Sequence, residues 1–167
     1  MLTYGAAVQV AFDHDAQDLP NAQLAELGYD SFVTTVAPAI TAESTVTGTG
    51  SVTVRSTSLS LQEKVDLQLI FKDQMTGYKA VVTLAGGEPF EVEPDGNMKK
   101  FSLVALPYKM RETYTVVICN AETGEVVSPT YTYSVESVAK TKLGNTAAVD
   151  QLVYAMMNYG DAVSAIV

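Results

Sequence analysis

The spacing of apolar positions changes character twice along the chain. Met1, Gly5, Val8 and Phe12 are separated by 4, 3 and 4 residues, which places them on one side of a helix. Residues 13–28 form a polar connector punctuated by Pro20. From about Ser31 the period becomes two. Val46, Gly48, Gly50, Val52 and Val54 alternate with polar neighbours, and Val65, Leu67, Leu69 and Phe71 do so more clearly. Such alternation predicts half-buried strands. Tyr78, Ala80, Val82 and Leu84 repeat it. Gly86 and Gly87 then predict a tight hairpin, because glycine accepts the positive φ such turns need. Phe90 and Val92 start the return strand, "PDGN" (94–97) is the next turn, and Phe101, Leu103 and Ala105 follow. Tyr114, Val116 and Ile118, the turn "NAETG" and residues 126–133 complete the series.

After Tyr133 the period returns to 3.6. Val135, Val138, Ala139 and Leu143 predict a short helix closed by Gly144, with Asn145 or Thr146 starting the next. That second helix is expected over about 147–165, with Val149, Leu152, Val153, Met156, Gly160, Val163 and Val167 on its buried face. The expected fold is therefore mainly β. It is an antiparallel β-sandwich, immunoglobulin-like or jelly-roll-like, of about seven or eight strands with α-helices flanking it at both termini. Three parts are expected: an N-terminal helix with acidic linker (1–28), the sandwich (29–134) and a C-terminal helical hairpin (135–167).

The two helical ends carry the same phrase. "TYGAAVQVAF" occupies 3–12 and "NYGDAVSAIV" occupies 158–167, so Tyr4, Gly5, Ala7 and Val8 align with Tyr159, Gly160, Ala162 and Val163. Recurrence at a fixed offset marks a repeated unit. The chain is thus expected to start and stop inside a repeated motif of a longer protein, with the first 28 residues closing a preceding repeat. A glycine in a buried helical stripe costs about 1 kcal/mol of helix propensity, so close packing is expected there. The predicted docking residues are Tyr4, Gly5, Val8, Phe12, Tyr159, Gly160 and Val163.

Composition sharpens this picture. Val and Thr together supply 40 of 167 residues, in keeping with β-structure. The net charge of −9 argues against nucleic acid, whose phosphates need a cationic face. The acidity is uneven, since residues 1–54 hold six acids and no Lys or Arg. A single cysteine, Cys119, excludes an internal disulfide and sits in an apolar strand as a buried thiol. No apolar run is long enough to span a membrane, so no membrane insertion is expected.

Candidate chemistry is sparse. Asp13, Asp15 and Asp18 surround the sole histidine, His14, and offer oxygen ligands for calcium, although the twelve-residue loop pattern lacks its glycine and terminal glutamate. Any serine triad would have to use His14. Glu91 and Glu93 share a strand face, as a paired-carboxylate glycosidase would need, but neighbouring lysines suit a solvated sheet edge. Tyr108, Tyr114, Tyr131 and Tyr133 are candidates for stacking on sugar rings, though the chain has no tryptophan. Catalytic residues and organic cofactors are not expected.

Four phrases in fixed order carry a resemblance: "LTYGAAVQVAFDHDAQDLPNA" (2–22), "SLSLQEKV" (58–65), "YTYSVESVA" (131–139) and "LVYAMMNYGDAVS" (152–164). The chain resembles a repeat module of large secreted or surface proteins of gut Firmicutes, in which the matching phrases read like "YFNYNTDNLANA", "SLSLEGKV", "YTYSVKEYA" and "LVKAMLNYGAYAQ". The segment "DHDAQD" is more acidic than that pattern. The resemblance implies an extracellular, non-catalytic building block whose partners are neighbouring domains of the same polypeptide and, beyond them, surface proteins or glycans. The export signal is expected outside this segment. A carbohydrate-binding module is the alternative expectation, and a hydrolase a remoter one.

Overall fold

The computed structural model describes residues 4–5, 7–8, 36–61, 64–96 and 98–167. These residues are mainly β, with eight strands among them in two antiparallel sheets. The strands are β1 (Thr45–Thr47), β2 (Val54–Leu61), β3 (Val65–Phe71), β4 (Tyr78–Leu84), β5 (Phe90–Val92), β6 (Lys100–Ala105), β7 (Tyr114–Asn120) and β8 (Thr130–Tyr133). One sheet has the order β1-β8-β7-β4-β5, the other β2-β3-β6. Helices α1 (Val135–Lys140) and α2 (Ala147–Ser164) follow, and a 3-10 turn, Pro107–Lys109, lies between β6 and β7.

The period-two pattern explains which side chains meet. Along β3, Val65, Leu67, Leu69 and Phe71 are buried while their alternates are half-buried. They join Phe101 and Leu103 from β6, Ala80 and Val82 from β4, Val116 and Ile118 from β7, and Tyr131 and Tyr133 from β8 in one buried cluster. Val135, Val138, Val153, Met156 and Met157 belong to the same cluster, so both helices share the apolar core of the strands. Each fully buried aliphatic side chain contributes about 1.5–3 kcal/mol, and this shared core is the main source of cohesion.

Local details depart from the sequence expectation in three places. The alternation through 45–57 is not one strand. It splits at Gly48, whose φ of +81° turns the chain out of β1, and resumes as β2 in the other sheet. Gly50 passes so close to Ser128 that a Cβ there would lie 2.5 Å from the Ser128 Cα. The strand expected over 126–133 shortens to Thr130–Tyr133, because Pro129 lacks an N–H. There the Ser128 hydroxyl accepts from the Ile118 N–H at 2.8 Å in place of a ladder carbonyl. The β4–β5 turn is shifted by one residue. Positive φ falls on Ala85 (50°) and Gly86 (72°), not on Gly86 and Gly87, and the Gly87 N–H closes the turn on the Leu84 carbonyl at 2.9 Å. Ala85 is the one non-glycine described residue in that region. An L-residue with a Cβ pays about 1–2 kcal/mol there, and glycine's extra chain entropy offsets part of this. Ala85→Gly is therefore expected to stabilise the protein by about 0.5 kcal/mol in urea denaturation; a loss of stability would contradict the turn geometry.

The helix boundaries follow their caps. Ser134 accepts from the Ser137 N–H and Ser137 reciprocates to the Ser134 N–H, a capping box that starts α1. Gly144, at φ +82°, turns the chain before Thr146 caps α2. Leu152, Val153, Ala155, Met156, Met157 and Gly160 are the buried residues of α2. Val149 and Val163 are only half-buried, and Val167, expected on the buried face, is 83% exposed beyond the helix end.

Candidate functional site

The repeated phrase meets itself. Tyr4, Gly5, Ala7 and Val8 are helical. The Tyr4 ring stacks on that of Tyr159, with centroids 5.9 Å apart and planes 4° from parallel. Burial and, secondarily, the neighbouring Tyr159 raise the Tyr4 hydroxyl above the usual tyrosine range. Ala7 is fully buried in a small cluster with Leu152 and Ala155 of α2, flanked by Tyr4, Val8 and Leu61.

The two glycines of the phrase differ in surroundings. Gly160 is buried, and a Cβ there would lie 2.9 Å from the Pro107 carbonyl oxygen and 3.0 Å from the Met110 sulfur. Its missing side chain lets α2 rest on the 3-10 turn. Gly5 is exposed, with nothing within 4 Å of an added Cβ. The expectation that both glycines press on protein therefore meets only Gly160. Phe12 lies outside the described residues, as do His14, Asp13, Asp15 and Asp18, so the calcium candidate has no geometry here. Among the described residues no three His, Cys, Asp or Glu side chains converge as a metal group would require.

Arg111 joins three segments next to Gly160. Its Nε and Nη2 donate to the two Asp161 oxygens at 2.6 and 2.8 Å, a fork-to-fork pair. Its Nη1 donates to the Ala39 carbonyl at 3.0 Å and lies 3.0 Å from Glu136 Oε1. Glu136 is 5% exposed, and its Oε1 also accepts from the Thr41 and Ala42 N–H groups at 2.7 and 3.2 Å. The hydrogen bond from Arg111 holds the Asp161 carboxyl below the usual carboxylate range, and the same bond raises Arg111 further. Lys140 donates to the Thr41 carbonyl and to Glu43, and Asn158 Nδ2 donates to the Val36 carbonyl at 2.8 Å. The segment 36–44 is thereby strapped across α1 and α2. Sequence reasoning missed this clasp. Its one local signal is the capping box, which sets Glu136 in the first turn of α1.

The tyrosines expected to contact glycans are placed differently. Tyr131 and Tyr133 do share a face of β8, as the alternation requires, but that face looks into the core. They are 2% and 6% exposed and stack on each other. Tyr131 accepts from the Val54 N–H at 2.8 Å, which ties β8 to β2. Tyr114 is 1% exposed and donates to the Val104 carbonyl at 3.2 Å. These three rings are closed to sugars, and Tyr108, beside Lys109, is the one of the four that is only half-buried. Burial pushes both the Tyr114 and Tyr133 hydroxyls up to about 12. The raised values mean that their stabilising effect is intact below the ordinary tyrosine value of about 10 and is lost as pH rises towards 12. At about pH 11, ultraviolet titration is expected to count fewer phenolates in the native chain than in denaturant; equal counts would place these rings in water.

Cys119 is free and buried in β7. Glu91 in the edge strand β5 and Glu93 just beyond it are both exposed, and Glu91 pairs with Lys79 at 2.6 Å. An open cleft of about 370 Å³ lies between the start of β2 and the β3–β4 loop, with Ser51, Thr53, Lys72, Asp73, Gln74 and Tyr78 in its wall. Arg55 extends the same surface beside Thr53 and Lys72. No described helix is long and apolar enough to cross a membrane. Comparison with family models, with curated proteins and with solved structures returned no match for this chain.

Proposed function

We propose that the chain is a non-catalytic structural and interaction module of a multidomain bacterial extracellular protein, in which it meets neighbouring domains of the same polypeptide. The observation that carries this reading is the Tyr4–Tyr159 stack, in which two copies of one phrase pack against each other. A unit built to be joined to others needs such a seam. The body of the module is an immunoglobulin-like β-sandwich. Three features support that assignment: the order β2-β3-β6 beside β5-β4-β7-β8, the apolar cluster common to both, and a tyrosine at the start of β7 bonded back to β6. A jelly roll would interleave its strands differently. Antibody raised against the chain should label intact, unpermeabilised cells or the culture fluid of the source bacterium. Labelling only after lysis would sink the extracellular reading.

A second reading, carbohydrate binding, is favoured by the cleft beside Tyr78 and not by the tyrosines of β7 and β8. Polar side chains beside the ring of Tyr78 suit a sugar. Glycan-array binding that is abolished by Tyr78→Ala would support it, and a blank array would remove it.

A further inference from the structure

We infer that the last turns of α2 are a docking surface for α2 of a second copy of this module. The inference rests on the module reading above and adds how one unit grips another. The two copies of the repeated phrase show complementary halves of one environment. At the amino end Ala7 is buried against Leu152 and Ala155, while Gly5 is exposed. At the carboxyl end Gly160 is buried against Pro107 and Met110, while Ala162, the counterpart of Ala7, is exposed. Tyr4 and Tyr159 are both half-buried, as are Val8 and Val163. Residues two apart on a helix point about 200° from each other, so the glycine and the alanine lie on opposite sides.

Each copy therefore lacks what the other has. The phrase is complete only when its glycine side rests on the 3-10 turn of its own unit and its alanine side rests on α2 of another unit. The surface left open at the carboxyl end is apolar: Ala162 is exposed, and Ile166 and Val167 are each 83% exposed. It is continuous with the existing seam, because Val163 follows Tyr159 by one helical turn. The occupant that fits is the Leu152–Ala155 side of a second α2, since that is what covers Ala7 in this chain.

The test is a tandem chain in which residues 1–167 run directly into a second copy of residues 13–167, so that 158–167 of the first unit stands where 3–12 stands for the second. Amide exchange at Ala162 and Val163 is expected to be about tenfold slower at the junction than at the free carboxyl end. Ala162→Arg at the junction should abolish that slowing, and the same change at the free end should leave it intact. In the single chain Ala162→Arg should not move the urea midpoint, which establishes that the substituted unit still folds. Equal exchange at the two ends, or a junction insensitive to the arginine, overturns the inference. Cell-surface labelling decides separately on the extracellular reading, so either result can fail without the other.

Discussion

Gly160→Ala is expected to destabilise the protein by about 1–2 kcal/mol, and Gly5→Ala, the same change in the repeated phrase, to stabilise it by up to about 1 kcal/mol. Both substitutions gain up to about 1 kcal/mol of helix propensity. At Gly5 nothing opposes that gain, because the added methyl points into open space. At Gly160 it meets the Pro107 carbonyl at 2.9 Å and the Met110 sulfur at 3.0 Å. The sulfur can swing aside, but the carbonyl belongs to backbone and cannot. Overpacking of this kind costs about 1–3 kcal/mol, which outweighs the propensity gain. Urea denaturation of the two variants checks the pair. Equal shifts in one direction would mean that the two glycines occupy like surroundings.

Arg111→Ala should lower stability by about 2–3 kcal/mol, the scale of hydrogen bonds to charged groups that leave a buried partner short of donors. An exposed ion pair alone would be worth far less. What raises the cost is Glu136, 5% exposed, which keeps only the two backbone donors of Thr41 and Ala42 when the guanidinium is gone. Arg111→Lys should recover little, since an ammonium cannot span Asp161, Glu136 and the Ala39 carbonyl together. Calorimetric melting of both variants measures this. Asp161 adds a pH signature. Its folded pKa lies below the ordinary value, so its contribution is present above about pH 4 and is lost as pH falls through the folded value. Asp161→Asn should therefore be less stable than the parent at neutral pH, with the gap closing below about pH 4. A gap that persists in acid would assign the effect to packing instead of charge.

The strands were legible in the sequence because one buried face makes alternation obligatory. Val65 to Phe71 reads as a strand from its pattern alone and is one. Where alternation continued through a backbone break, at Gly48, the pattern ran on after the strand had ended, and where it crossed a proline, at Pro129, it set in before the strand began. Alternation also gives the shared face of Tyr131 and Tyr133 but not whether that face is inner or outer; the side chains that pack over it decide that. The recurrence of the phrase was visible, and Gly160 justified the expectation of close approach. Its consequence, that the two copies stack on each other, was not, because pairing between residues 155 positions apart leaves no local trace. The Arg111 clasp was hidden for the same reason. Asp161 lies 50 residues and Ala39 72 residues from it.

The seam between the two copies of the phrase can be read directly from ring proton contacts in the nuclear Overhauser spectrum of the intact chain. Parallel rings 5.9 Å apart give cross-peaks between Tyr4 and Tyr159 and, from the same helix, between the Ala7 methyl and Leu152. Both sets are expected. Spectra in which Tyr4 and Ala7 have neighbours only within their own segment would contradict the account at its centre.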